Sequence, residues 1–168
     1  MIKAVIFDLD GTLVHLPIDY ERLFQQFREI METSDIHPVA KKILELDKER
    51  KKEIFEVWNK AEAAALANIT QEKEGINIYN WIPVKQKALV TMQGKVLVEK
   101  VLERFNLSFK FMVTRENSLN RPEQLRIVAD KLKVPFKNVL FVGNREDDLQ
   151  AANEVGCHFL RVRNKDSS

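Results

Sequence analysis

Asp8 and Asp10 stand one residue apart, directly after a short apolar run and directly before Gly11 and Thr12. Two carboxylates at that spacing can divide the work of a reaction, one attacking as nucleophile while the other gives and takes a proton. A lone Asp-Gly pair is most often a turn, so the company it keeps decides its meaning. Thr91 follows a second apolar run, Arg121 stands before Pro122-Glu123, and Gly143-Asn144-Arg145-Glu146-Asp147-Asp148 follows the fourth. Carboxylates that converge on one crevice repel each other unless a cation binds among them, and hard oxygen ligands of this kind suit magnesium. Gly11 permits the tight turn that would hold both carboxylates in the mouth of such a crevice, while Thr91 offers a hydroxyl and nearby backbone amides to phosphate oxygens.

The elements that must position these residues can be read from the spacing of apolar side chains. Nearly continuous apolar runs at residues 2–7, 88–90, 109–113, 139–142 and 158–162 predict five short strands covered on both faces. Between them Val98, Val101, Leu102 and Phe105, and then Leu125, Val128, Ala129 and Leu132, recur at helical period. Pro122 fits the first turn of the second of these helices, and Gly156 fits the stop of a short helix from about Glu146 to Val155. Alternation of strand and helix from Lys85 onward implies an α/β fold, a Rossmann-like parallel five-stranded sheet with helices on both faces. Ligands of such sheets bind beyond the carboxyl ends of the strands, which is where the chemical residues fall.

Residues 17–81 break the alternation. Tyr20, Leu23, Phe24, Phe27, Ile30 and Met31 mark one helix, Pro38 opens a second that runs to about Ala67, and a third over about residues 72–81 returns the chain to the sheet. The expected organisation is a core of residues 1–16 and 82–168 interrupted by an all-helical insertion, residues 17–81.

Asp8-Leu9-Asp10-Gly11-Thr12 after an N-terminal apolar strand resembles the first motif of the haloacid dehalogenase superfamily. Thr91 is similar to its second motif, Arg121 before Pro122-Glu123 to its third, and Gly143-Asn144 through Asp148 to its acidic fourth, all in order. The insertion lies where members with a small helical cap carry theirs. The resemblance implies that Asp8 is a nucleophile forming an aspartyl-phosphate and a metal ligand. It makes Asp10 the general acid and base and a further metal ligand through its backbone carbonyl. Thr91 and the Met92 amide would bind the phosphoryl group, with Gly11 and Thr12 beside them on the substrate side, and Arg121 would neutralise developing charge. Asn144 and Asp148 would complete the magnesium site. Two positions depart from the family's usual pattern, which has lysine in place of Arg121 and aspartate in place of Asn144.

The remaining composition narrows the function. A net charge of +2 is too small to argue for nucleic acid by itself, and the alternating charges of residues 48–53 read as the solvated side of a helix. Residues 2–7 are far too short to span a membrane, and Cys157, the only cysteine, excludes an intrachain disulfide. His15, His37 and His158 lack metal-ligand spacing. The expectation is a cytoplasmic, magnesium-dependent phosphatase, monomeric or weakly dimeric, acting on a small phosphorylated metabolite without nucleic-acid or membrane partners. A phosphotransferase or phosphomutase of the same superfamily, and a binding domain that has lost turnover, are the alternatives.

Overall fold

Four consecutive residues with no accessible surface, Ala4–Phe7, form the first strand, β1, at the centre of the protein. The computed structural model describes residues 1–164. Its further strands are β2 (Val14–His15), β3 (Thr70–Gln71), β4 (Gln86–Val90), β5 (Phe111–Val113), β6 (Val139–Gly143) and β7 (His158–Arg161). The helices are α1 (Tyr20–Met31), α2 (Val39–Leu44), α3 (Lys48–Ala65), α4 (Lys73–Trp81), α5 (Lys95–Arg104), α6 (Arg121–Leu132) and α7 (Glu146–Val155).

Five strands make one parallel sheet in the order β5-β4-β1-β6-β7. β1 lies between β4 and β6, pairing Phe7 with Leu89 on one side and with Val142 on the other. This register brings the ends of three strands level, so that Asp8, Thr91 and the segment after Gly143 emerge at one edge. Side chains alternate across the sheet. Ala4, Ile6, Ala88, Val90 and Phe141 share a core with Leu125, Val128, Ala151 and Ala152 of α6 and α7. On the opposite face Phe7 meets the edge of Tyr79 from α4, their ring centroids 5.8 Å apart.

The helix starts and stops follow the local chemistry. Asn120 caps α6 by accepting the amide of Glu123 at 2.9 Å, with Pro122 in the first turn, and Gly156 ends α7 at φ 82°. The single helix expected from Pro38 to about Ala67 is instead two. Asp47 interrupts it as the N-cap of α3, accepting the amide of Arg50 at 2.9 Å, because a short carboxylate competes for backbone donors better than it continues a helix.

The chain divides into two compact units, Pro17–Asn68 and the segments on either side of it. The first is all-helical and has its own core, in which Leu23 and Phe27 of α1 and Ile43, Ile54 and Trp58 of α2 and α3 are buried and the Phe27 and Trp58 rings meet edge to face at 5.6 Å. Its boundary falls at Asn68 rather than at residue 81. The chain rejoins the sheet unit earlier because β3 pairs antiparallel with β2, Val14 opposite Gln71 and His15 opposite Thr70, and because α4 packs beneath the turn that follows β1. A two-residue ladder carries too little periodicity to be seen in a sequence. Among the described residues no helix is long and apolar enough to cross a membrane.

Candidate active site

Asp8 is fixed by the sheet. Its amide continues the ladder to Val142 O at 3.0 Å, after which the chain turns back so that the amides of Thr12, Leu13 and Val14 gather on Leu9 O at 3.2, 2.9 and 3.2 Å. Gly11 sits in this turn at φ +83°, and a Cβ there would overlap the side-chain amide of Asn144. From below, Gly75 of α4 approaches so closely that a Cβ would collide with the carbonyl oxygen of Thr12. Leu16 N–H donates to Asp10 Oδ1 at 2.9 Å, which holds the second carboxylate against the outgoing strand.

Arg121, at the start of α6, closes the other side. Its Nη2 is 2.9 Å from Asp8 Oδ1, its Nε 3.2 Å from Asp148 Oδ1, and its Nη1 donates to Gln124 Oε1 at 2.7 Å. The guanidinium stands over the Phe141 ring, 5.9 Å from its centroid. Asp148 Oδ2 accepts the amides of Asn144 and Arg145, both at 3.2 Å, as the third-position carboxylate of a helix reaching back to its own cap. The Thr12 hydroxyl lies 3.1 Å from Asp8 Oδ2 and 3.3 Å from Asn144 Oδ1, and its one proton can serve either. Gln124 in turn donates to Thr91 O at 2.9 Å and to Ser118 O at 2.8 Å, tying the end of β4 to α6.

Burial dominates the electrostatics of Asp8. It raises the carboxyl from its ordinary 3.8 to about 7, with Arg121 pulling it down and Asp148 and Asp10 pushing it further up. Asp8 and Asp148 flank the one guanidinium, and the Asp10 charge is also felt at Asp8, so negative charge is in excess there. Beside Asp8 the Asn144 side-chain oxygen shares the Thr12 hydroxyl with it, and the Asp10 main-chain carbonyl belongs to the turn that follows. Among the described residues no three His, Cys, Asp or Glu side chains gather as a metal cluster. A cation here would therefore use a mixed set of carboxylate, amide and main-chain oxygens, and that hard, oxygen-only set fits magnesium rather than a softer metal.

The structure brings Asp8, Thr12, Arg121, Asn144 and Asp148 into one hydrogen-bonded group and links Thr91 to it through Gln124. Asp148, expected among the metal ligands, has both carboxylate oxygens engaged by protein donors. Thr91 is buried, its hydroxyl accepting the Gln93 amide at 3.1 Å, and Met92 O accepts Nη1 of the buried Arg115 at 3.0 Å. Gly11 O accepts from the Asn164 side chain. Asp147 is exposed on the first turn of α7. Cys157 is remote in chemistry as well, since burial pushes its thiol up to about 11. Sequence reasoning missed Gln124, Gly75 and Arg115. A signal existed for Gln124, a polar residue within the apolar stripe of α6, whereas Gly75 and Arg115 matter through distant contacts.

A family model of haloacid dehalogenase-like hydrolases matches residues 24–162, a span that includes Thr91, Arg121 and Asn144 and begins after Asp8 and Asp10. An uncharacterized hydrolase of Saccharomyces cerevisiae is 28% identical over 176 residues, covering 97% of this chain and 78% of the yeast protein. A phosphoglycolate phosphatase of Salmonella paratyphi A is 34% identical over 74 residues, 41% of this chain and 29% of that enzyme. The crystal structure of a haloacid dehalogenase superfamily hydrolase from Geobacter sulfurreducens superposes with a TM-score of 0.65 at 23% identity, covering 96% of this chain and 89% of that one, which shows the shared fold.

Proposed function

The chain belongs to the haloacid dehalogenase-like hydrolase family, and from that premise we propose that it is a magnesium-dependent phosphatase working through an aspartyl-phosphate on Asp8. One observation carries this reading: a buried carboxylate at the end of the central strand is held on one oxygen by Arg121, itself anchored to Asp148, with a second carboxylate two residues on. In the first half-reaction an Asp8 oxygen attacks phosphorus, the bond from phosphorus to the ester oxygen breaks, and Asp10 gives that oxygen a proton. In the second, Asp10 takes a proton from water as the water oxygen attacks phosphorus, releasing inorganic phosphate and restoring Asp8. Arg121 faces the oxygens on which negative charge accumulates. The Asp8 carboxylate, the Asp10 carbonyl and the Asn144 amide oxygen would hold a magnesium ion, which would supply further positive charge there when bound.

On this reading the substrate is a small phosphorylated metabolite, and the helical unit selects its leaving group. The proposal extends to a cytoplasmic protein, monomeric or weakly dimeric, with no nucleic-acid or membrane partner; the single cysteine suits a reducing compartment, and a net charge of +2 gives no argument for nucleic acid. The name of the Salmonella relative supports a small phosphate ester as the substrate class. The test is hydrolysis of an aryl phosphate with and without magnesium, by the parent and by Asp8→Asn. Metal-dependent turnover that vanishes in a folded Asp8→Asn variant is expected. Undiminished turnover in that variant would overturn the mechanism, and a parent inert towards every phosphate ester would favour a binding domain.

A further inference from the structure

We infer that Gln124 is a positioning residue that locks the Arg121 guanidinium onto Asp8 and couples it to the phosphate-binding end of β4, an assignment whose catalytic consequence rests on the phosphatase reading above. Gln124 is completely buried one helical turn after Arg121. One end of its amide faces two backbone carbonyls, Thr91 O at 2.9 Å and Ser118 O at 2.8 Å, and the other faces Arg121 Nη1 at 2.7 Å. Carbonyls only accept and a guanidinium only donates, so the chemistry dictates which end is NH2 and which is oxygen. The amide cannot flip without setting acceptor against acceptor and donor against donor. Oε1 is thereby presented to Arg121 in a single orientation.

The guanidinium then meets an acceptor on each of three nitrogens: Asp8 from Nη2, Asp148 from Nε and Gln124 from Nη1. Two carboxylates alone would leave Nη1 without a protein acceptor on a side chain that is only 13% exposed, an unfavourable state for a charged donor. A neutral amide satisfies it without drawing the positive charge away from Asp8, as a third carboxylate would. A lysine ammonium has no planar fork to span these three acceptors, so arginine at 121 and glutamine at 124 form a matched pair. Through Thr91 O the same amide ties the guanidinium to the strand end that carries the Thr91 hydroxyl.

The experiment reads the guanidinium directly. In a 15N–1H spectrum of the parent, Arg121 side-chain signals, identified by their loss in Arg121→Lys, should be resolved and slow to exchange. In Gln124→Met, which keeps the side-chain length and removes the hydrogen bonds, they should broaden or vanish while the remaining spectrum stays folded. Turnover of an aryl phosphate by Gln124→Met should fall at least about tenfold in kcat with KM within about threefold, and the same change in an Arg121→Lys background should cost less than about threefold. A purely structural role would give equal losses in both backgrounds, which would overturn the assignment. Freely exchanging Arg121 signals in the parent would overturn it too, whether or not Gln124→Met folds. A parent with protected guanidinium signals but no turnover would refute the phosphatase reading and leave the clamp standing.

Discussion

Asp8 must be ionised to attack phosphorus, yet its burial and its acidic neighbours hold the carboxyl at about 7 without metal. The folded state thus binds a proton that the unfolded chain releases near its ordinary 3.8, and the stability from Asp8 falls as pH rises from about 4 to about 7. Above that range the full cost of a buried charge is felt. In chelator, Asp8→Asn should therefore melt several degrees above the parent at pH 8, with the gap closing towards pH 4. Parallel melting curves across that range would contradict the burial argument. Asn144 poses a second question of charge, because a neutral amide oxygen attracts magnesium less than a carboxylate does. Asn144→Asp should lower the magnesium concentration giving half-maximal activity, and Asn144→Ala should raise it. If both variants titrate like the parent, Asn144 is not a ligand.

Among the elements, α4 supports the site from beneath without lending it a side chain. Gly75 lets the helix backbone come against the Thr12 carbonyl, under the turn that carries Asp8 and Asp10. In a free helix, alanine would be better than glycine by about 0.5–1 kcal/mol. Here the added methyl would strike backbone, which cannot rotate away as a side chain could. Gly75→Ala should accordingly lose about 1–3 kcal/mol despite its better helix propensity, and should lower turnover by moving the Thr12 turn. Denaturant midpoints and kcat measured together check this. A variant as stable and as active as the parent would show that α4 can withdraw freely.

For the whole molecule, the β2–β3 pairing has a practical consequence. His15 lies opposite Thr70, so the chain leaves the sheet unit and returns to it at adjacent positions, and the helical unit is an excursion between them. Replacing residues 17–68 with a short flexible linker should keep the parallel sheet and the Asp8–Arg121–Asp148 group. Hydrolysis of an aryl phosphate should survive, while the ranking of metabolite phosphates should change. Circular dichroism together with a substrate panel tests both parts. An unchanged ranking would show that the helical unit does not select substrates, and loss of the sheet would show that the two units fold together.

What the sequence determined on its own was everything set within a few residues. The apolar runs specified the strands of the large sheet, the 3–4 spacing specified most of the helices, and the order of Asp8, Asp10, Thr91, Arg121, Asn144 and Asp148 along those elements specified which chemistry to look for. Pro122 and Gly156 marked their helix ends because helix boundaries are set locally. Tertiary structure decided the rest, since it concerns residues far apart in the chain whose meeting depends on strand register and helix packing. Asp8 and Arg121 are separated by 113 positions, and their contact exists because β1 and α6 converge on one edge of the sheet. The same convergence turned Asp148 towards Arg121 and the amides of Asn144 and Arg145. It also gave Gln124 two carbonyls and a guanidinium to join, and made Gly75 necessary under Thr12. No pattern of period two or 3.6 encodes such meetings, because periodicity says which face a residue occupies and packing alone says what stands opposite.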